Sequence, residues 1–327
     1  MKKILGIGNA LVDIMTLLES EDFLKEIHIK KGSMQLVDFD LSSEILSKTD
    51  TLKKELSSGG SAANTIHGIA NLGISSSFIG KVGRDNYGLF FADDMRQNNI
   101  IPMLFEGSAD SGRAIALISP DSERTFATYL GAAIELTAED LSDELFEGHD
   151  YLYLEGYLVQ NRALINRALT LASQHKLKVC LDLASYNVVE QNVDFLNQII
   201  RDSIDIVFAN EEEALALCGK NPDEALNYIA EMCDIAVVKT GKNGSLVKRG
   251  DEIFKIQAVA ANCIDTTGAG DAYAAGFIYG LAHNLSLDKC GAIGSLIAAK
   301  VIEVVGAKLD TKSWERIKKD IEKITKD

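Results

Sequence analysis

What most restricts the fold of this chain is an alternation. Short apolar runs rich in β-branched residues ("KILGIG", "SSFIGKVG", "YLYLEGYLV", "KVCLDLA", "DIVFAN" and "IAVVKTG") are separated by longer stretches such as "SAANTIHGIANLG", "RALINRALTLASQHK" and "PDEALNYIAEMC". The runs have the length and composition of strands buried on both faces. The stretches place apolar residues three and four apart, the period of helices packed by one face. Repeated β-α units of this kind need crossover connections, and so predict a doubly wound, mostly parallel sheet flanked by helices. One α/β unit over 1–327 is expected, because only three prolines and no low-complexity tract interrupt the chain.

Two stretches break the rhythm. Residues 14–57 are long for a connector and carry short apolar pieces such as "SMQLVDF" amid charge. Residues 108–131, "SADSGRAIALISPDSERTFATYLG", read as two strands around a Ser-Pro-Asp-Ser turn. Together they predict a small β-sheet lid over the carboxyl edge of the main sheet, the remainder forming the large α/β domain. A second hairpin, "GSLVKRGDEIFKIQA", should turn at Arg249–Gly250–Asp251.

Composition narrows the partners. Lys plus Arg number 33 against 48 Asp plus Glu, a net charge of −15. That balance argues against nucleic acid or an anionic membrane, although a few local donors can still hold a phosphorylated small ligand. The five cysteines (180, 218, 233, 263 and 290) are odd in number and form no C-x-x-C pair, so they read as reduced thiols. The opening "MKKILGIGNALVDIM" is interrupted by Gly6, Gly8, Asn9 and Asp13 and reads as a first strand rather than a leader. No segment approaches the roughly eighteen apolar residues of a membrane span. A soluble, cytoplasmic protein is the expectation, as a monomer or homodimer.

Residues 264–277, "IDTTGAGDAYAAGF", carry the strongest chemical signal. A helix beginning after Gly268, Ala269 and Gly270 would offer unpaired N–H groups and a positive dipole end to an anion. Asp271 at that mouth has two readings: a capping carboxylate, or a base that takes the proton of an attacking hydroxyl while the amides steady the transferred phosphoryl group.

This stretch resembles the C-terminal signature of the ribokinase-like (PfkB) carbohydrate kinase family. "SSGGSAANTIHGIANLG" at 57–73, followed by "IGKVGRDNYG", resembles its N-terminal signature, and Asn210-Glu211-Glu212-Glu213 its Asn-x-x-Glu feature. The features come in family order and cover essentially the whole chain. The resemblance implies an ATP-dependent kinase acting on a hydroxymethyl group, with Asp271 as catalytic base and Gly268, Ala269 and Gly270 as anion hole. It implies that Asn210 and Glu213 organise Mg²⁺ and the phosphates, Glu213 indirectly, and that Lys239, Thr240, Gly241 and Gly244 lie along ATP. Asp265 and Thr267 are the residues it offers for a monovalent cation such as K⁺. Without the resemblance, the three-glutamate run reads as a solvated helix start and "VKTGKNGS" as a strand exit.

For the acceptor, "GIGNALVD" fails as a dinucleotide fingerprint, because Leu11 stands where the third glycine belongs. Asp13, placed just past the first strand, can instead accept two hydrogen bonds from a vicinal diol or simply occupy a surface turn; the resemblance favours the diol, with Asn9 beside it. Gly59-Gly60-Ser61 with Asn64 lacks the lysine typical of ribose kinases and is similar to adenosine kinases, as are the early segment to Asp38 and "TYLGAAIELTAEDL". Gly59, Gly60 and Asn64 would then hold a ribose. Met34, Tyr157 and Tyr186 are candidates for the flat apolar walls an adenine needs. Arg113 either reaches substrate or phosphate or lies on a solvated strand face. Adenosine is thus the expected acceptor, with fructose, ribose or a related sugar acid as alternative. A non-catalytic ligand sensor on a kinase fold is the rival from another class.

Overall fold

The computed structural model describes residues 2–121 and 123–326; Ser122, the last residue of the expected Ser-Pro-Asp-Ser turn, lies outside them. In chain order the strands are β1 (Lys3–Ile7), β2 (Leu11–Leu17), β3 (Met34–Leu36), β4 (Lys54–Gly59), β5 (Ser75–Val82), β6 (Ile100–Glu106) and β7 (Gly112–Ile118). They continue with β8 (Arg124–Tyr129), β9 (Tyr151–Glu155), β10 (Lys178–Asp182), β11 (Ile206–Asn210), β12 (Ile235–Lys239), β13 (Ser245–Arg249) and β14 (Glu252–Ile256).

The larger sheet has the order β14-β13-β12-β11-β10-β9-β1-β5-β6. From β6 to β12 every neighbour is parallel; β13 and β14 close one edge as an antiparallel hairpin whose Arg249 faces Glu252. Its turn is therefore Gly250–Asp251, inside the expected span. From β1 the chain builds outward through β5 and β6, then returns to build β9 to β12 on the other side. The two directions part between β1 and β9, and that reversal opens a crevice beyond the carboxyl ends of those strands.

The smaller sheet has the order β3-β8-β7-β2-β4, drawn from the two stretches that break the β-α rhythm. One expectation needs correcting. The chain crosses from one sheet to the other in only Gly8, Asn9 and Ala10, so Asp13 lies within strand β2, not in a turn after β1. In β2 it stands opposite Ser57 of β4.

Packing fixes the helix that carries Asp271. Helix Ala269–Ala282 is buried over most of its circumference, including Ala272, Tyr273, Ala275, Phe277 and Ile278. Phe277 meets Phe208 of β11 edge-on at 5.5 Å. At Gly276 an added Cβ would come within 2.8 Å of the Gly294 backbone of the next helix, Leu287–Val301. Overpacking a contact this close costs about 1–3 kcal/mol, so the helix start is held against a rigid wall. All five cysteines are free. Among the described residues no helix is long and apolar enough to cross a membrane.

Candidate active site

Four neighbouring parallel strands, β9 to β12, end in polar residues. β9 ends in Glu155, β10 in Asp182, β11 in Asn210 and β12 in Lys239, while Asn9 follows β1. All five line one cavity of about 1770 Å³ at the crevice, with Asp271 and the small sheet on its other walls. Pockets for one drug-sized ligand run to about 1,000 Å³, so this one has room for two small molecules.

Asp271 is anchored by a second helix. Ser61 donates its hydroxyl to Oδ1 at 2.8 Å, and Asn64 donates Nδ2 to Oδ2 at 3.1 Å. Both lie in the first turn of helix Ser61–Asn71, which follows Gly60. Burial, with the charge of Asp182 adding to it, pushes the Asp271 carboxyl up to about 6; the bonds from Ser61 and Asn64 and the charge of Lys239 hold it from rising further. The group is thus ionised at neutral pH and close enough to its pKa to accept a proton.

The glycine-rich turn beside it has the geometry of an anion cradle. Gly268 has φ +73°, and a Cβ there would fall 2.5 Å from that of Ala307, so only glycine fits. The first helical bond runs from the Ala272 amide to Gly268 O at 2.8 Å, which leaves the Gly270 and Asp271 amides ahead of it without an intrahelical acceptor. The Ala269 amide turns back to Thr266 O at 3.2 Å, so Ala269 contributes shape rather than a free donor. Lys239 Nζ stands 3.1 Å from where a side chain at 270 would begin.

That lysine pairs with Asp182 at 2.8 Å, both side chains largely buried. Burial pulls the Lys239 ammonium down, but Asp182, Glu213 and Asp271 outweigh it, so it remains charged. Asn210 and Glu213 cap helix Glu211–Cys218: Glu213 N donates to Asn210 Oδ1 at 2.8 Å, and the glutamate accepts from Asn210 N and Nδ2. Glu213 is 3% exposed, and burial raises its carboxyl against the opposing pull of Lys239. Among the described residues no cluster of three or more His, Cys, Asp or Glu could hold a metal by itself. Glu213 and Asp182 are carboxylates of the cavity wall that could hold a divalent ion together with substrate phosphates, the usual mode for Mg²⁺.

From the small sheet, Asp13 of β2 also lines the cavity. A Cβ at Gly59 would fall 2.1 Å from Asp13 Oδ1, so the glycine makes room for the carboxylate. Burial drives the Asp13 carboxyl up to about 7; Lys308 opposes the rise and Asp271 adds to it. Asn9, Gly60 and Asn64 line the same wall, as do Met34 and Tyr157.

Other expected residues stand elsewhere. Arg113 points away: β7 alternates, so Ala114 faces the cavity while Arg113 is buried on the opposite side. Its guanidinium lies 5.2–5.7 Å from the ring centres of Phe39, Tyr87 and Tyr129, and its Nε donates to Ser42 Oγ at 2.8 Å. Tyr186, the first residue of helix Tyr186–Ser203, does not line the cavity and is 44% exposed, although Asn187, Val188 and Gln191 of the same helix do line it. Thr240 is buried and turns its amide to Gly244 O, while Lys239, Gly241 and Gly244 do line the cavity. Thr267 reaches the cavity wall, but Asp265 does not.

Three residues went unnoticed in the sequence. Glu155, 1% exposed, accepts from Asn9 N and Nδ2 and from Ala62 N, tying β1 and helix Ser61–Asn71 to β9. Burial raises it to about 7. Asp182 is the partner of Lys239. Lys308, pulled down to about 8 by burial against the attraction of Asp94, Asp13 and Asp271, donates to Ser58 Oγ at 3.2 Å. For Glu155 and Asp182 the signal was present: each is the polar residue that ends an apolar strand run.

The family model described as "pfkB family carbohydrate kinase" matches residues 32–314. A solved adenosine kinase from Sinorhizobium meliloti superposes with a TM-score of 0.87 at 34% identity, covering 98% of this chain and 99% of that one. A probable sugar kinase from Rhizobium etli gives the same TM-score and identity over 98% of each chain. An uncharacterized sugar kinase from Archaeoglobus fulgidus is 28% identical over 247 residues, 74% of this chain and 96% of its own length.

Proposed function

The chain belongs to the pfkB family of carbohydrate kinases, phosphotransferases acting on a hydroxyl of a sugar or nucleoside, and we propose that its own acceptor is the 5′-hydroxyl of adenosine, phosphorylated from MgATP to give AMP. One observation carries the choice. The cavity wall contributed by the small sheet and the turn after it is mostly apolar: Met34, Leu36, Phe126, Leu130, Ile134 and Leu136 accompany the polar Asp13 and Thr128. Met34 and Leu36 are 58% and 60% exposed, large apolar surface that a flat nucleobase would cover and a sugar would not. The likeness to the Sinorhizobium adenosine kinase over nearly the full length adds support.

In this reading Asp13, with Asn9 and Asn64 beside it, accepts the ribose hydroxyls and leaves the 5′-hydroxyl facing Asp271. Ser61 and Asn64 hold the Asp271 carboxylate so that it takes the hydroxyl proton as the oxygen attacks the γ-phosphorus. The Gly270 and Asp271 amides, with Lys239 beside them, bind the oxygens of the transferred group. Glu213 and Asp182 would hold Mg²⁺, which when bound neutralises charge on the ATP oxygens. Gly241, Gly244 and the apolar Val259, Ala298 and Ile302 wall the nucleotide side. Catalysis is then mainly positioning and electrostatics. The small sheet keeps water from the reacting phosphoryl group.

A panel of adenosine, other nucleosides, ribose, fructose and sugar acids, assayed for ADP release with MgATP, tests the acceptor. Adenosine should give the highest kcat/KM; a sugar exceeding it would overturn the assignment.

A further inference from the structure

Asp265 stands three residues before Gly268 and serves several partners at once. Its Oδ1 accepts the Thr267 amide at 3.0 Å, and its Oδ2 accepts the Gly306 amide at 2.7 Å. The same Oδ2 forms an ion pair with Arg124, the first residue of β8 on the small sheet. The two side chains are only 12% and 6% exposed, so salt screens the pair weakly. Ile302 O takes the amides of Ile264 and Asp265 at 2.7 and 3.2 Å. The loop entering the anion cradle is thereby stitched to the loop after Val301 and, through a charge, to the opposite sheet.

The family resemblance would put a monovalent cation at Asp265 and Thr267. The residues do not fit one. The carboxylate already faces a guanidinium and two amides, and a metal ion drawn to it would meet the like charge of Arg124. We propose that Arg124 supplies, from the small sheet, the fixed positive charge behind the Gly268–Gly270 turn, so that this kinase needs no monovalent metal ion. Arg124 is held here by Asp265, and through it acts as a positioning residue on the loop carrying the anion cradle. The proposal rests on the reading of that turn as the phosphoryl site.

The test compares the wild-type protein with Arg124→Met in KCl, NaCl and tetramethylammonium chloride at equal ionic strength. Turnover of MgATP with the acceptor and the thermal midpoint are both recorded. Wild type should keep its rate within about twofold in all three salts, and its midpoint should not rise selectively with K⁺, because a cation binding only the native state would raise it. Arg124→Met should lose about tenfold or more in kcat in tetramethylammonium chloride, the scale of one lost preorganised electrostatic contact, with acceptor KM little changed. Arg124→Lys, which keeps the charge, should recover part of that loss. Stimulation of wild type by K⁺ of about tenfold, a K⁺-specific rise in its midpoint, or an Arg124→Met variant as active as wild type in tetramethylammonium chloride would each overturn the proposal. If Arg124→Met does not fold, the wild-type salt series still decides. Absence of turnover with every acceptor would instead refute the kinase reading, and the midpoint series would still report on the cation.

Discussion

Ser61 donates its hydroxyl to Asp271 at 2.8 Å and so joins the first turns of two helices that are 210 residues apart in the chain. One begins after Gly60, the other after Gly268, so the carboxylate lies at the start of both. Burial and the charge of Asp182 oppose the ionised form, the two hydrogen bonds and the charge of Lys239 favour it, and the balance leaves the carboxyl at about 6.

That balance sets a pH dependence. A base must be deprotonated to work, so kcat with both substrates saturating should fall about tenfold per unit as pH drops below about 6, while kcat/KM for the acceptor also reports Asp13, whose carboxyl sits at about 7. In Ser61→Ala one bond that lowers the carboxyl is gone, so the acid limb should move to higher pH. A pH–rate profile of both proteins checks the sign; an unmoved or lowered midpoint in the variant would count against the role of Ser61.

Asp13→Ala should weaken acceptor use more than ATP use. A charge-assisted hydrogen bond to a substrate hydroxyl is worth about 1.5–3 kcal/mol, so acceptor kcat/KM should fall about 10–100-fold with the KM for ATP nearly unchanged. Equal losses for both substrates would remove Asp13 from the acceptor site.

Gly59→Ala should reproduce part of that defect without touching a polar group. The new methyl would lie 2.1 Å from Asp13 Oδ1 and push the carboxylate out of place. Acceptor KM should rise, and the substitution in an Asp13→Ala background should add little, which a double-mutant cycle measures.

The alternation of β-runs and helical stretches made the doubly wound sheet legible, because buried parallel strands have no polar face to disguise them. The glycine-rich turn was legible for a similar reason: Gly268 and Gly270 stand out against the apolar helix that follows. What escaped was register and direction. Nothing in "GNALVDIM" marks that the chain changes sheets within three residues, so Asp13 read as a residue just past the first strand. Arg113 and Ala114 differ only in strand parity, and parity is fixed by which face the small sheet turns to the cavity. The Lys239–Asp182 pair joins strands that are not adjacent in the sheet, β12 and β10, and such a contact leaves no spacing in sequence.

That pair also predicts a stability effect. Lys239→Met would leave the Asp182 carboxylate buried beside Glu213 without its counter-charge, at a cost of about 3–5 kcal/mol in unfolding free energy. Urea denaturation at neutral pH should show the loss, and Asp182→Asn in the same chain should restore most of it. A single variant as stable as wild type would mean that water reaches the pair.

The proton acceptor is the centre of the account, and turnover by Asp271→Asn measures it most directly. The asparagine keeps the size and one oxygen that still accepts from Ser61 or Asn64, but it cannot take the proton. With nucleotide and acceptor affinities retained and the thermal midpoint close to wild type, kcat should fall about 10²–10⁴-fold. A variant that binds both substrates and turns over near the wild-type rate would contradict the account.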